Sequence, residues 1–376
     1  MNVSVMQENL ARGLQTVSRA VSARATLPVL ANVLLKTDGS GLKLTATNLE
    51  IGINCWVPGK VTDEGEITVP ARLLTDLVAS LPNQRIDLVL SAKDRTLKLT
   101  CGHNRSSIKG IEADEFPVVA AIGESPTTSV DSKLLREALG QVVFAAASDE
   151  SRPILTGVLT KLTGETMTLA AADNYRIAVR TLKLDRAVTP EVSIVVPGRS
   201  YAELIRVLPD GDAPIEITVT PNKSQILFHA EGVDLVSRLI EGQFPNYEPV
   251  IPTSHSSRAV IDREAFLAGT RRASIFARDS ANIVKIELGA EDGDGTGVAI
   301  TAHAADVGDN ADTVDATIEG SPTAIAFNAR YLSDVLSNLA VDEVALELSG
   351  PLAPGVVRGI GRDDYVHVIM PVRTAS

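Results

Sequence analysis

Paired carboxylates, histidines and glycine-rich turns are the side chains here that could do chemistry, and their spacing does not support any. Asp149-Glu150 and Asp363-Asp364 are adjacent in the chain, and neighbouring acids on a loop carry little weight as an acid–base pair. The five histidines, at positions 103, 229, 255, 303 and 367, fall at no metal-ligand spacing. The run Gly293-Asp294-Gly295-Thr296-Gly297 lies between strand-like segments with no helix behind it, so its value for holding phosphate is low. Its acids also lack the spacing and closing Glu of a calcium loop. Neither GxxxxGK[ST] nor GxGxxG occurs. The expectation is a protein that is not an enzyme, with no catalytic residues, no metal and no cofactor.

Arginine, by contrast, recurs in a pattern. Three segments align without a gap: VPARLLTDLVASLP from Val69, VPGRSYAELIRVLP from Val196 and FNARYLSDVLSNLA from Phe327. Arg72, Arg199 and Arg330 take the fourth position, with Asp76, Glu203 and Asp334 four residues later. Such i,i+4 pairs ordinarily decorate an exposed helix face. Apolar residues recur at helical spacing in each: Leu74, Leu77, Val78 and Leu81; Tyr201, Leu204, Ile205 and Leu208; Leu332, Val335, Leu336 and Leu339.

The elements that position these arginines repeat as well. An earlier helix carries Leu10, Leu14, Val17 and Val21, returns 125 residues on as Leu135, Leu139, Val142 and Ala146, and returns 131 further on, more weakly, as Phe266, Thr270, Ala273 and Ala277. Asp131 and Asp262 precede the later two as N-caps would. The remainder alternates as strands, among them LPVLANVLLKT, RPILTGVLTKL, IDLVL, IEITV and VALEL. GIEADEFPVV and LIEGQFPNYEPV close the first two units. The spacing predicts three repeated α+β domains, each with two helices on antiparallel sheet, over residues 1–124, 125–253 and 254–376.

Charge is unevenly spread. The chain is −12 overall, which argues against coating nucleic acid through its whole surface. Around the six predicted helices, however, thirteen basic residues stand against eight acidic ones, while nine acids and no Lys or Arg lie between Ile286 and Ala329. A basic helical layer in an acidic protein suits a phosphate-facing surface. For any single arginine, solvation or ion pairing is the better reading. With 3% aromatics there are no stacking platforms for single strands, so duplex phosphate contacts fit better than base reading. Cys55 and Cys101 lie in strand-like segments and read as buried thiols of a reducing compartment. No apolar run could span a bilayer, and MNVSVMQENLARGL has no long apolar stretch of a secretory signal. The expected location is cytoplasmic, with no membrane partner.

The tripled units, with VPAR, TLPVL, AADNYRIAV, QFPNY and a terminal VIMPVR, resemble the bacterial DNA polymerase III β subunits, the sliding clamps, over essentially the whole chain. That resemblance implies a head-to-tail homodimer of three-domain protomers, closing into a ring around double-stranded DNA without sequence preference. It also implies that the ring tethers the replicative DNA polymerase and recruits clamp loader and repair proteins through short peptides. The family's peptide pocket falls here on Arg152, Leu155, Ala172, Asn174, Tyr175, Arg176, Ile177, Pro245 and Val250, then on Asn328, Tyr331, Leu352, Pro354, Val368, Met370, Pro371, Val372 and Arg373. Candidate DNA-facing residues are Arg12, Arg19, Arg24, Arg72, Arg105, Lys133, Arg136, Arg199, Arg271 and Arg272, and the family's dimer contact falls on Ile108, Ile275 and Phe276. Three departures stand out: Asn174-Tyr175 where Gly-His is usual, Val372 where Met is common, and Ser106 where a large apolar residue can pack.

Overall fold

The computed structural model describes residues 1–22, 27–39, 41–120, 125–208, 211, 213–278, 280–289 and 297–373. Six helices lie where periodicity places them: α1 (Gln7–Val17), α2 (Ala71–Ser80), α3 (Ser132–Val142), α4 (Gly198–Val207), α5 (Arg263–Ala277) and α6 (Ala329–Asn338). Their stripes are buried. Leu10, Leu14 and Val17 of α1, Leu135, Leu139 and Val142 of α3, and Phe266, Thr270, Ala273 and Ala277 of α5 are all fully shielded from water. Five members of the predicted stripes fall outside the helices: Val21, Leu81, Ala146, Leu208 and Leu339. The chain after α1 and after α3 tightens into a short 3-10 turn, and Val21 and Ala146 follow it in extended backbone. Asp131 and Asp262 do cap: their carboxylates accept from the amides of Leu134 at 2.8 Å and Ala265 at 2.7 Å.

One small residue fixes how closely the first helix of a repeat can lie on its sheet. Gly13, Ala138 and Gly269 are equivalent by the repeat spacing, and all three are buried. A Cβ on Gly13 would stand 2.8 Å from Val57 Cγ2, and one on Gly269 would stand 2.7 Å from Ile300 Cδ1. A larger side chain at either would force helix and sheet apart.

The chain packs as two compact units. One comprises Met1–Leu134, Leu184–Val188 and Arg199–Leu239; the other comprises Leu135–Lys183, Thr189–Gly198 and Ile240–Ser376. The first unit is built on a 12-stranded sheet that ends at the strand Asn104–Lys109, the second on a 10-stranded one. Every strand pair whose register is given is antiparallel, as in the pairing of Ile177 with Val368 or Leu97 with Ile108. Three repeats of two helices with antiparallel strands are thus present. Cys55 and Cys101 are buried and unpaired, and burial pushes the Cys55 thiol up to about 11. No described helix is long and apolar enough to cross a membrane.

Candidate functional site

In the second unit the long strands Gly157–Ala172 and Arg176–Pro197 are joined by the turn Asp173-Asn174-Tyr175. Asp173 holds that turn: its Oδ1 accepts from the amides of Tyr175 at 2.7 Å and Arg176 at 3.0 Å, the Asx geometry that short acids favour. Its second oxygen takes Arg176 Nε at 3.0 Å. The same guanidinium donates to Asp334 on α6 at 2.6 Å and to the carbonyl of Phe144 at 2.6 Å. It also lies 4.5 Å from the Tyr331 ring centroid and 5.4 Å from that of Phe144. A nearly buried arginine with that many anchors has one position.

Beside it the Tyr175 ring, 57% exposed, stacks on Tyr331 at 6.2 Å and 21°. Burial pushes the Tyr331 hydroxyl above its ordinary range, with the Asp173 charge adding to the shift and the Arg176 charge opposing it. Arg152 donates to the Asn174 side chain at 3.2 Å. Arg176 and Ile177 pair in register with Ile369 and Val368. The Met370 amide then donates to the Tyr175 carbonyl at 2.8 Å, and the Val372 amide to the Ala326 carbonyl at 2.8 Å. Residues 370–373 are thereby strung between the two strand systems.

Under this surface lies an apolar cluster of Leu155, Ala172, Ile177, Val195, Phe244, Val356 and Val368, flanked by Tyr247, Val250 and others. Nearby, Leu352, Val372 and Arg373 join Lys285, Pro351 and the strand residues Ala324, Ile325 and Ala326 around a cleft of 400 Å³. Leu352 is two-thirds exposed, at 67%.

The pocket positions named from sequence therefore sort into three kinds. Arg152, Asn174, Tyr175, Pro245, Leu352 and Arg373 are exposed, while Val250, Asn328, Tyr331, Pro354, Met370, Pro371 and Val372 are half-buried. Leu155, Ala172, Arg176 and Ile177 are nearly covered, and Val368 is wholly covered. Val368 is floor rather than wall, because its inward side chain on a paired strand is sealed by the cluster. Asn328 has a local task as well: its side chain accepts from the Arg330 amide at 2.9 Å and caps α6. Asp173, Phe244 and Lys285 are part of this surface and escaped the sequence reading, which had Asp334 paired on its own helix instead. Asp173 was legible, since Asp-x-x-Arg at a strand break is the signature of such a turn.

The basic residues are less uniform than the repeats imply. Arg12, Arg72, Arg105, Lys133, Arg199, Arg271 and Arg272 are exposed, and Arg136 is half-buried. Arg24 lies outside the described residues. Among the described residues only the first repeat forms its i,i+4 pair, Arg72 to Asp76 at 3.8 Å. Glu203 is instead taken by Arg19 at 3.4 Å and Arg206 at 2.8 Å, and Asp334 by Arg176. Arg105 sits on the terminal strand Asn104–Lys109 rather than on a helix. Arg271 reaches Ser337 at 3.2 Å, and Arg272 is held by Asp312 at 2.6 Å. On the same terminal strand, Ile108 is 4% exposed, because it packs inward opposite Leu97. Its side chain is spent inside its own chain, against the expectation of a dimer contact. Ile275 is 58% exposed, and Phe276 is half-buried.

The carboxylate pairs are structural. Asp149 accepts from the amide and hydroxyl of Ser151, and Asp364 is ion-paired with Arg180 and Arg362. Among the described residues no three His, Cys, Asp or Glu side chains gather as a metal site. What the surfaces offer is binding: an anchored, partly apolar groove and arginine-bearing helix faces.

Repeated α+β domains with such surfaces define a binding protein of clamp architecture. The chain matches the DNA polymerase III beta subunit family in all three parts: its N-terminal domain over residues 1–120, its central domain over 129–246 and its C-terminal domain over 248–373. It is 33% identical to a beta sliding clamp of Synechococcus elongatus, with all of both chains covered. Among solved structures, the DNA polymerase sliding clamp of Bacillus subtilis superposes with a TM-score of 0.94 at 28% identity over all of both chains. The DNA polymerase III subunit beta of Pseudomonas aeruginosa gives 0.90 at 30% identity, over 99% of this chain and all of that one. This chain belongs to the DNA polymerase III β subunit family, the sliding clamps, and is a non-catalytic accessory subunit.

Proposed function

We propose that two copies of this chain close head to tail into a ring around duplex DNA and hold the replicative polymerase to its template. The domain boundaries in this reading stay near residues 124 and 254, and the location is cytoplasmic. The groove around Tyr175, Tyr331, Leu352 and Met370 takes short peptides with apolar-aromatic ends, presented by the polymerase, the clamp loader and repair proteins. The observation that carries the reading is the division of labour in charge: exposed arginines on the helices of a chain whose net charge is −12. Such a surface centres a duplex without gripping it, since contact energy scales with the number of neutralised phosphates.

The dimer contact rests on Ile275, exposed on α5, and on the terminal strand Asn104–Lys109, whose outer edge is unpaired among the described strands. Light scattering on the purified protein tests it: the mass should be twice that of the chain. Ile275→Asp would bury a lone charge in the contact, and the variant should run as a monomer at micromolar concentration. A variant that stays dimeric moves the interface elsewhere.

A further inference from the structure

Three sequence-equivalent arginines, Arg72, Arg199 and Arg330, each have an acid four residues later, so the sequence has each neutralised by its own helix. The structure departs from this in the second repeat, where Arg19 and Arg206 take Glu203, and again in the third. Asp334 points its Oδ2 at Arg176 Nη1, 2.6 Å away, and Arg176 is 9% exposed and anchored by Asp173 and the Phe144 carbonyl as well. Arg330 is exposed, and its side chain has no ion-pair or hydrogen-bond partner among the described residues. On the facing helix, Arg271 of α5 reaches α6 at Ser337, so two exposed guanidinium groups belong to the solvent side of α5 and α6. The buried side of α6 is Leu332, Val335 and Leu336.

We propose that Arg330 is a phosphate contact for duplex DNA, and that Arg176 is its positioning residue, because it withdraws the Asp334 carboxylate that would otherwise neutralise Arg330. The ligand class is the phosphodiester backbone, without base specificity. Remove the Arg176 charge and Asp334, one helical turn from Arg330, becomes its natural partner. The groove and the DNA-facing helix of the third repeat then share one carboxylate. This rests on the clamp reading above.

The test is a thermodynamic cycle on the full dimer, read as the slope of log affinity for a short duplex against log salt, by fluorescence anisotropy. Each phosphate contact contributes about 0.9 to that slope. Arg330→Ala should reduce it by about one contact in the native protein, by close to nothing in Arg176→Gln, and by about one contact again in Arg176→Gln/Asp334→Asn. Such non-additivity between groups with a common partner is what a shared carboxylate requires, whereas a merely diffuse field gives the same Arg330 effect in every background. An unchanged slope for Arg330→Ala in the native protein overturns the contact. Equal effects in all three backgrounds overturn the role of Arg176. Should Arg176→Gln fail to fold, Arg330→Ala in the native protein still decides the contact, and Asp334→Lys, which sets a cation beside Arg330, must leave the Arg330 loss intact. Wild-type protein that binds no short duplex overturns the contact, while retention by topology is decided separately on circular DNA.

Discussion

The groove of the second unit and the arginine-bearing helix faces are both rich in guanidinium groups, yet they use them in opposite ways. Around the groove, arginine is immobilised. Arg176 has three polar anchors and two aromatic rings, and behind it Arg180, fully buried, is ion-paired with Asp364, with Glu137 3.9 Å away. On the helix faces Arg72 is 95% exposed with one long pair, and Arg199 and Arg330 stand in solvent. In the proposed reading, fixed arginines shape a surface for one kind of guest, and loose ones supply charge where a moving duplex must meet no fixed register.

The sharpest way to break this contrast is to empty the buried side. Asp364→Leu removes the carboxylate and strands the fully buried Arg180 guanidinium, with Glu137 3.9 Å away. Burial alone would push that carboxylate up, and hydrogen bonds from Arg180 and Arg362 bring it below the ordinary range. Stability should fall by about 3 kcal/mol or more in urea unfolding, the scale for an orphaned buried partner. Arg72→Ala should change it by less than about 0.5 kcal/mol. Equal effects would erase the distinction.

Next in size is Tyr331→Ala, which removes the ring between Tyr175 and Arg176. Peptides with an apolar-aromatic end should lose about tenfold or more in affinity by calorimetry, near 1.4 kcal/mol, while the variant stays folded. Unchanged affinity would place the binding groove elsewhere.

At neutral pH the smallest effect comes from His367, buried on the strand Tyr365–Ile369 against the Phe144 ring at 5.5 Å. Burial, with the Arg176 charge adding to it, lowers its pKa from 6.5 to about 3. Between those values the unfolded chain takes up a proton that the folded chain refuses. The site therefore costs nothing above about pH 6.5, and costs stability progressively as pH falls toward 3, at about 1.4 kcal/mol per pH unit. His367→Leu should flatten that part of the stability-versus-pH curve relative to wild type. Parallel curves would mean that the imidazole protonates in place.

Much of this was legible beforehand, for reasons that differ by region. The helix stripes and the Asp131 and Asp262 caps follow from spacing, because burial of one face dictates the period. The partners of Glu203 and Asp334 were not legible. Local sequence pairs them with Arg199 and Arg330, whereas Arg19 and Arg176, 184 and 158 residues away, take them in the folded chain. The inward turn of Ile108 was likewise hidden, since alternation in a strand tells which residues share a face but not which face is covered.

The central claim is retention by topology rather than by contact. Protein loaded by a clamp loader onto nicked circular DNA should remain bound through moderate salt, and should leave the same DNA soon after a restriction cut makes it linear, as followed by gel filtration of the labelled complex. Equal lifetimes on circular and linear DNA would contradict the ring.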